Sequence, residues 1–302
     1  AAQVVVEEGI AKPILLGNLS RIQALLEENQ IDLAGIPIID PMNPVNEEEK
    51  ARLDQYGKLL FDKRKRKGFT LVEAHDIMRR RNYYGSMMVE TGYADAMIGG
   101  LTRSYPDTIR PALQIIGKKP GVNKVAGMYL LLSKQGPLFF SDTTINFQPS
   151  VADIVEITEL TSEAVERFNL KPKIAMLSYS NFGSADGDDA LKMRAATAIL
   201  KEKHPEWVIE GEMQAHLAFD KELRQQNYPF ATLGNDTANT LIFPNLSSAN
   251  IAYNLLKEAA DIEYIGPILL GLRKPVHVLQ LGASVREIVN MVAIAVVESH
   301  SI

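Results

Sequence analysis

Helix-spaced and strand-like patterns alternate along the first third of the chain. A helix-spaced pattern at 19–28 lies between short apolar runs at 13–17 and 36–40, which read as strands. Such alternation predicts parallel βαβ units. The opening run at 1–9 is typical of the middle and end of a helix, so we expect a segment to precede Ala1 in the natural chain.

Past 40, a charged helix is predicted over 46–62, and Thr70 with Glu73 forms a capping box for a helix that ends near Arg81. A strand over 93–100 follows.

From Lys124 the pattern changes. Apolar runs at 125–133 and 137–141 are separated by turn residues, which predicts an antiparallel hairpin. Because this hairpin lies between α/β portions, we expect two lobes, one formed by 1–123 with 271–302 and the other by 124–270. The elements predicted after the hairpin are a helix capped by Ser150 and ending at 168, strands at 173–180, 208–213 and 240–244, and helices at 190–203, 220–226 and 247–260.

The segment 264–294 is predicted to form an apolar strand, a cationic turn with Lys274, a second strand, and a helix. Ser284 and Glu287 form the capping box that starts this helix. A cationic loop followed by exposed helix-start amides can hold a phosphate-bearing ligand. In a two-lobed chain, we expect Lys274 and this helix start to lie at a cleft between the lobes.

Composition narrows the class of protein. The 302 residues include no cysteine, which excludes disulfides, thiolate catalysis and cysteine-bound metals, and the five histidines have no metal-binding spacing. The net charge of −5 argues against nucleic acid as the partner. The apolar runs are shorter than the roughly 20 residues needed to span a bilayer. We therefore expect a cytoplasmic protein with no membrane or nucleic-acid partner.

Two arginines are candidates for binding an anion. Arg64 lies in five consecutive cations at 63–67, a pattern that is usually a solvated helix end. Arg110 lies one turn into a helix whose first turn contains Pro106, and this helix follows a strand. Ligands bind at the carboxyl ends of such strands. The alternative for Arg110 is a surface ion pair with Asp107.

A loop of small residues follows the strand at 173–180. Its backbone N–H groups could cradle a phosphate. Three acidic residues in and after the loop argue against a P-loop, and no Gly-Lys-Ser/Thr follows. The loop serines are Ser178, Ser180 and Ser184, and the acids are Asp186, Asp188 and Asp189.

Motifs along nearly the whole chain resemble the phosphate acetyltransferase family, and within it the C-terminal domain of bacterial multi-domain NADP-dependent malic enzymes. The malic-enzyme likeness rests most on 274–279 (Lys-Pro-Val-His-Val-Leu) and on 283–293. The other shared strings are 64–68 (Arg-Lys-Arg-Lys-Gly), 107–114 (Asp-Thr-Ile-Arg-Pro-Ala-Leu-Gln), 175–180 (Ala-Met-Leu-Ser-Tyr-Ser), 183–185 (Gly-Ser-Ala), 242–245 (Ile-Phe-Pro-Asn) and 266–267 (Gly-Pro).

The resemblance implies a two-lobed α/β/α sandwich like that of isocitrate and isopropylmalate dehydrogenases. It also implies acetyl-CoA in the interlobe cleft and a homodimer or higher homo-oligomer formed through the middle lobe. In malic enzymes of this kind a malate-oxidising region precedes the domain in the same polypeptide. NADP and a divalent metal are expected only in that region.

The chain departs from the pattern of active phosphate acetyltransferases. Those enzymes carry Lys-Pro-x-Asn-Asp-Leu-Ser-Arg-Gly and then an Asp that is thought to take the CoA thiol proton. Here Gln280 stands at the serine position, Leu281 at the arginine position and Glu287 at the aspartate position. Glu258 aligns with a further family arginine.

Arg64 and Arg110, which align with two other phosphate-handling arginines, remain. Loss of one preorganised charge donor typically lowers the rate by about 10²–10³, and Leu281 cannot replace a guanidinium. Glu287 could act as a base, but the simpler interpretation is a capping-box residue bonded to Ser284.

The resemblance and these departures imply a regulatory, oligomerising domain that binds acetyl-CoA without acetyl transfer. Two alternatives stay open: an active phosphate acetyltransferase that converts acetyl-CoA and phosphate to CoA and acetyl phosphate, and a purely structural module. The residues expected to bind the ligand anions are Arg64, Arg110 and Lys274, and those expected to line the cleft are Asp142, Asn146, Ser178, Ser180 and Ser184.

Overall fold

The computed structural model describes residues 1–33, 35–101, 105–260 and 262–300. Its backbone forms two compact units. Unit 1 consists of Ala1–Lys119 and Leu272–Ile302, and unit 2 of Pro120–Gly271. In the described ranges, no helix has both the length and the apolar character needed to cross a membrane.

Helices make up much of both units. The helices are α1 (Ala2–Glu7), α2 (Leu19–Glu28), α3 (Glu47–Arg64), α4 (Leu71–Met78), α5 (Arg81–Thr91), α6 (Tyr105–Ile115), α7 (Val151–Arg167), α8 (Asp188–Lys203), α9 (Ala215–Phe219), α10 (Lys221–Asn227), α11 (Leu246–Ala260) and α12 (Val285–Ser299). A 3-10 turn, Lys65–Lys67, follows α3.

The strands of the described residues are mostly short and group into three sheets. They are β1 (Leu15–Leu16), β2 (Ile38–Ile39), β3 (Met97–Gly99), β4 (Ala126–Ser133), β5 (Gly136–Ser141), β6 (Lys173–Leu177), β7 (Val208–Met213), β8 (Thr240–Ile242), β9 (Glu263–Leu270) and β10 (Val276–Val278).

Side-chain caps fix where several helices begin. Thr70 and Glu73 form the predicted capping box of α4, and Ser284 and Glu287 that of α12. Ser150 caps α7, as predicted. Each box satisfies backbone N–H groups that the first helical turn leaves without partners. These three predictions are therefore confirmed.

In the described part of unit 1, the strands form two parallel pairs. β1 pairs with β2 across α2, which confirms the predicted parallel unit at the start of the chain, although each strand is only two residues long. β10 pairs with β3, with Val276 opposite Met97. A strand from the last part of the chain therefore completes a sheet begun in the first third.

The predicted helix from Thr70 to near Arg81 is wrong at its end, because α4 stops at Met78 and a separate helix, α5, begins at Arg81. Residues Tyr83 to Val89 of α5 are all buried. A helix buried on every side has no polar face, so it lacks the amphipathic pattern by which a surface helix is recognised.

Unit 2 is built on one six-stranded sheet in the order β7-β6-β8-β5-β4-β9. The predicted hairpin is confirmed, since β4 and β5 pair antiparallel; β4 also pairs antiparallel with β9, and the other pairs are parallel. Alternate residues of a strand face opposite sides of a sheet. In β6, Ile174 and Met176 pack in the core that contains α7 and α8, whereas Ala175 and Leu177 pack in the core that contains α9 and α11. Unit 2 is therefore a three-layer α/β/α arrangement.

Candidate functional site

The two retained arginines both belong to unit 1, and both affect the pKa of Tyr83. Arg64 is the last residue of α3, Arg110 lies on α6, and Arg80 directly precedes α5. Tyr83 is nearly buried, and its hydroxyl donates to Gln114 Oε1 at 2.7 Å. Burial raises the pKa of the Tyr83 phenol, and Arg110, Arg80 and Arg64 each offset part of that rise. We name Arg64, Arg80 and Arg110 the arginine cluster.

Acidic residues do not neutralise this cluster within the described ranges. No ion pair joins Arg64, Arg80 or Arg110 to a carboxylate there. The Nε of Arg64 is buried and has no hydrogen-bond partner among the described residues, and its guanidinium carbon lies 5.9 Å from the centre of the Phe69 ring. The surface ion pair considered for Arg110 is thus not formed among these residues.

Lys274 lies elsewhere in unit 1, at the end of α5. Its Nζ donates to the carbonyl oxygens of Val89 and Glu90 at 2.8 and 3.2 Å. The neighbouring Arg273 pairs with the Glu90 carboxylate at 2.8 Å. A cation at the last helical turn satisfies free carbonyl groups and complements the helix dipole. Lys274 therefore stabilises α5 in this structure, and its binding of a ligand anion stays a prediction.

The segment after β10 lies where two strands end together. Because β3 and β10 are parallel, their carboxyl ends share one edge of the sheet. Gly100 follows β3 so closely beside Leu279 that a Cβ on Gly100 would lie 2.2 Å from the Leu279 carbonyl oxygen. Gln280 and Leu281 come next and are exposed, Leu281 by 70%.

Glu287 is held at the start of α12. Its Oε2 accepts a hydrogen bond from the Ser284 N–H at 2.6 Å, and its own N–H donates to Ser284 Oγ at 3.2 Å. This is the structural role expected from the capping box. Using this carboxylate as a base would weaken the bond that starts the helix.

In unit 2, the loop after β6 closes around the carboxylate of Glu212. The Glu212 side chain is fully buried, and its Oε1 accepts from Ser180 Oγ and Gly183 N, each at 2.8 Å. Arg194 Nε donates to Oε2 at 3.1 Å and Arg194 Nη2 to Oε1 at 3.0 Å. Burial raises the pKa of Glu212, but these hydrogen bonds outweigh it and hold the pKa below its ordinary value.

The three predicted loop serines all bond within this loop. Ser180 Oγ accepts from Ala185 N at 3.1 Å, Ser184 Oγ from Asn181 N at 2.9 Å, and Ser178 Oγ from Ser180 N at 3.3 Å. Their hydroxyls therefore fix the backbone of the loop. A further role in binding a ligand stays a prediction.

Asp142 and Asn146 organise the turn after β5. Asp142 is buried, and its Oδ1 accepts from the N–H groups of Gly127 and Thr144, each at 2.9 Å. Its Oδ2 accepts from the backbone N–H of Asn146 at 2.8 Å and from the Asn146 amide. The Asn146 amide also donates to the Val125 carbonyl at 2.9 Å. Both side chains thus hold backbone in place, and their contact with a ligand stays a prediction.

Comparison with known proteins shows which family this chain belongs to. The protein-family model described as "Phosphate acetyl/butaryl transferase" matches residues 1–296 of this chain. A phosphate acetyltransferase from Clostridium acetobutylicum is 34% identical over 307 residues, which cover 99% of this chain and 90% of that protein. The chain belongs to the phosphate acetyl/butyryltransferase family.

The malic enzymes among its relatives are longer proteins. An NAD-dependent malic enzyme from Rhizobium meliloti is 39% identical over 300 residues, 99% of this chain but 38% of that protein. An NADP-dependent malic enzyme from Escherichia coli is 38% identical over 304 residues, 100% of this chain and 39% of that protein. The chain therefore spans less than half the length of these relatives.

Solved structures confirm the predicted fold class. The crystal structure of a phosphotransacetylase from Streptococcus pyogenes superposes with a TM-score of 0.90 and 34% identity, covering 100% of this chain and 90% of that one. The mixed α/β fold of this transferase family is therefore shown. A 4-hydroxythreonine-4-phosphate dehydrogenase from Klebsiella pneumoniae, at a TM-score of 0.51 and 11% identity, shares the fold alone.

The predicted residues of this family member divide between the two units. Glu258 lies exposed on α11, with the Lys257 Nζ 3.7 Å from its Oε1. Unit 1 contains Arg64, Arg110, Lys274, Gln280, Leu281 and Glu287, and unit 2 contains Asp142, Asn146, Ser178, Ser180, Ser184 and Glu258.

Sequence reasoning missed four residues that organise these regions. Arg80 and Tyr83 belong to the surroundings of the retained arginines, and Arg194 and Glu212 hold the loop after β6. Only Glu212 gave a usable signal, because it is an acid inside a strand that buries most of its residues. A buried carboxylate in a strand requires a cationic or hydrogen-bonding partner.

Proposed function

We propose that this chain is a regulatory and oligomerising domain of a malic enzyme, which binds acetyl-CoA as an effector and does not transfer the acetyl group. The observation that carries the proposal is a contrast within unit 1. The arginine cluster is kept without acidic partners in the described ranges, whereas the family's catalytic positions hold Gln280, Leu281 and a Glu287 engaged in a cap.

Binding an anion and catalysing acetyl transfer make different demands. Binding needs cations that are free to face a phosphate, and Arg64 and Arg110 supply them. Acetyl transfer to phosphate also needs a base for the CoA thiol and charge that stabilises the transition state. Leu281 carries no charge, and the Gln280 amide brings only a neutral donor, so rate acceleration is lost while affinity can remain.

The relatives support a role inside a larger enzyme. The chain matches an NAD-dependent and an NADP-dependent malic enzyme over 38–39% of their length. NADP and the divalent metal would then belong to the malate-oxidising region. Acetyl-CoA bound here would bias that region through a change in subunit arrangement, and the coupling must be reciprocal.

The first test is titration calorimetry of acetyl-CoA into the 302-residue chain. We expect micromolar binding that weakens about tenfold or more in Arg110→Gln and in Arg64→Gln, since each loses a charge-assisted hydrogen bond. Arg21→Gln is the matched control, because Arg21 is an exposed arginine of unit 1 outside the cluster. Absence of any binding heat in the wild type would favour a purely structural module.

The second test separates binding from catalysis. Acetyl phosphate and CoA are supplied to the same chain, and we expect no acetyl-CoA formation above the uncatalysed rate. Turnover that disappears in Glu287→Gln would instead favour an active phosphate acetyltransferase. In the intact malic enzyme, malate kinetics that do not respond to acetyl-CoA would contradict the regulatory role.

A further inference from the structure

The carboxylate of Glu90 joins three parts of unit 1. Glu90 lies in the last turn of α5, and its side chain is 14% exposed. Its Oε1 accepts from Lys63 Nζ at 2.6 Å, and its Oε1 and Oε2 accept from Arg273 Nη2 at 3.0 and 2.8 Å. Each of these cations directly precedes a residue expected to bind the ligand, Arg64 in one case and Lys274 in the other.

We propose that Glu90 is a positioning residue for the anion-binding cations of unit 1. Its carboxylate fixes the end of α3 that carries Arg64 and the loop that carries Lys274, while Glu90 itself does not contact the ligand. This inference rests on the proposed function for the identity of the ligand and for the roles of Arg64 and Lys274.

The bond to Lys63 connects the end of α3 to the end of α5. Lys50 and Lys58, which also lie on α3, pair with carboxylates of the same helix at 2.8 and 2.6 Å. Lys63 instead reaches a carboxylate 27 residues further along the chain. Because Arg64 is the next residue and ends α3, its backbone is held where Lys63 is held.

The bond to Arg273 fixes the loop that carries Lys274. Arg273 Nε donates to the Ile116 carbonyl at 2.7 Å, and the Arg273 backbone N–H donates to the Gly117 carbonyl at 3.1 Å, so this loop is also tied to the end of α6. Lys274 Nζ donates to the Glu90 carbonyl at 3.2 Å. Glu90 therefore holds the loop twice, with its side chain through Arg273 and with its carbonyl through Lys274.

Loss of the Glu90 charge would release both ion pairs. Lys63 and Arg273 donate to the same oxygen, Oε1, so they lie close together, and without the carboxylate their like charges repel each other. The residues that follow them in the chain then lose their fixed positions. A ligand has to order such residues when it binds, which lowers its affinity.

The direction of the effect distinguishes positioning from other roles of Glu90. A carboxylate repels a nearby anion, so by charge alone its removal would strengthen binding of an anionic ligand. A side chain that only stabilises the fold would leave the affinity of the folded chain unchanged. Positioning predicts weaker binding, which neither of these alternatives does.

The experiment titrates the 302-residue chain with acetyl-CoA by calorimetry and compares Glu90→Gln with the wild type. We expect the dissociation constant to rise about fivefold or more. The matched control is Glu159→Gln in unit 2, because the Glu159 carboxylate also binds two basic side chains, Lys203 at 2.5 Å and His204 at 2.7 Å. The affinity of this control for acetyl-CoA should equal that of the wild type.

Thermal unfolding of each variant shows whether it is folded at the temperature of the titration. If Glu90→Gln lacks the cooperative transition of the wild type, Glu90→Asp replaces it in the titration. Asp keeps the charge but is one methylene shorter, so at least one of the bonds to Lys63 and Arg273 is lengthened. Its dissociation constant should then also rise, and an unchanged value would overturn the role of Glu90.

The outcomes separate this inference from the proposed function. A wild type that binds acetyl-CoA, with Glu90→Gln binding it equally or more tightly, would overturn the role of Glu90 and leave the proposed function standing. An equal loss of affinity in Glu159→Gln would do the same, because the effect would then follow from lost stability. A wild type that does not bind acetyl-CoA would overturn both.

Discussion

At the scale of single residues, Glu212 shows how a charged side chain is accommodated inside a strand. Its carboxylate is fully buried, but it accepts hydrogen bonds from Arg194, Ser180 and Gly183. Removing a charge from water is costly unless such partners replace the lost hydration. The same contacts hold the loop after β6, so the charge and the loop shape depend on each other.

Replacing Glu212 by Gln should destabilise the chain. The amide keeps one acceptor, but its NH₂ group must face either Arg194 or the Ser180 and Gly183 donors, so at least one buried donor loses its acceptor. The expected loss is about 1–3 kcal/mol of the free energy of unfolding. Urea denaturation at pH 7 measures it. Unchanged stability would show that the loop does not depend on the carboxylate.

The difference in stability between wild type and Glu212→Gln should change with pH in one direction. The pKa of Glu212 is lower in the folded chain than its ordinary value of 4.5. A carboxylate with a depressed pKa contributes its full stability above the unfolded pKa, and the contribution disappears as the pH falls through the folded pKa. The stability gap between wild type and Glu212→Gln should therefore narrow below about pH 4.5.

At the scale of elements, Gly100 sets how closely two strand ends can approach. It has a φ of +105° and lies against the Leu279 backbone at the shared end of β3 and β10. An L side chain would be strained at this φ and would also overlap the Leu279 carbonyl. The close approach brings the Gln280 segment to the end of β3.

Gly100→Ala should therefore lower the free energy of unfolding by more than backbone strain alone would. Gly117 is the matched control, because its φ of +77° is also positive while nothing lies within 4 Å of its added Cβ. We expect Gly117→Ala to lower the free energy of unfolding by about 1 kcal/mol and Gly100→Ala by about 2–4 kcal/mol. Chemical denaturation of both variants measures the difference. Equal losses would mean that the strand ends separate freely.

Local signals explain which elements could be predicted from the sequence. The capping boxes at Thr70 and Ser284 and the hairpin turn at 134–137 are set by neighbouring residues, so they were predicted correctly. The buried helix α5 carries no periodic pattern and was missed. Contacts between distant residues have no local signal either, as with Asp142 and Gly127.

The candidate site shows the same limit. Family motifs pointed to Arg64 and Arg110, but the effect of both on the pKa of Tyr83 depends on how three helices pack. Arg80 lies between Arg79 and Arg81, three identical letters in a row. Only the structure shows that Arg79 donates to the Met42 carbonyl at 3.3 Å, whereas Arg80 offsets part of the rise in the Tyr83 pKa.

At the scale of the whole molecule, the two units differ in how the chain builds them. Unit 2 is one continuous segment, Pro120–Gly271, with a six-stranded sheet and a core on each face. Unit 1 uses both ends of the chain, because β10 completes the pair with β3 and α12 packs against both strands. Unit 2 can therefore fold from one continuous segment, whereas folding of unit 1 requires both ends of the chain.

A fragment of residues 120–271 should fold by itself, whereas residues 1–119 should not. The first retains every strand of its sheet. The second leaves β3 with an unpaired edge and exposes the apolar surface that α12 covers, and burial of such surface is the main stabilising term in folding. We expect a cooperative urea transition by circular dichroism for 120–271 alone. For 1–119, a comparable transition should appear only when residues 272–302 are joined to it through a short linker. A cooperative transition of 1–119 without them would show that β10 and α12 are dispensable for unit 1.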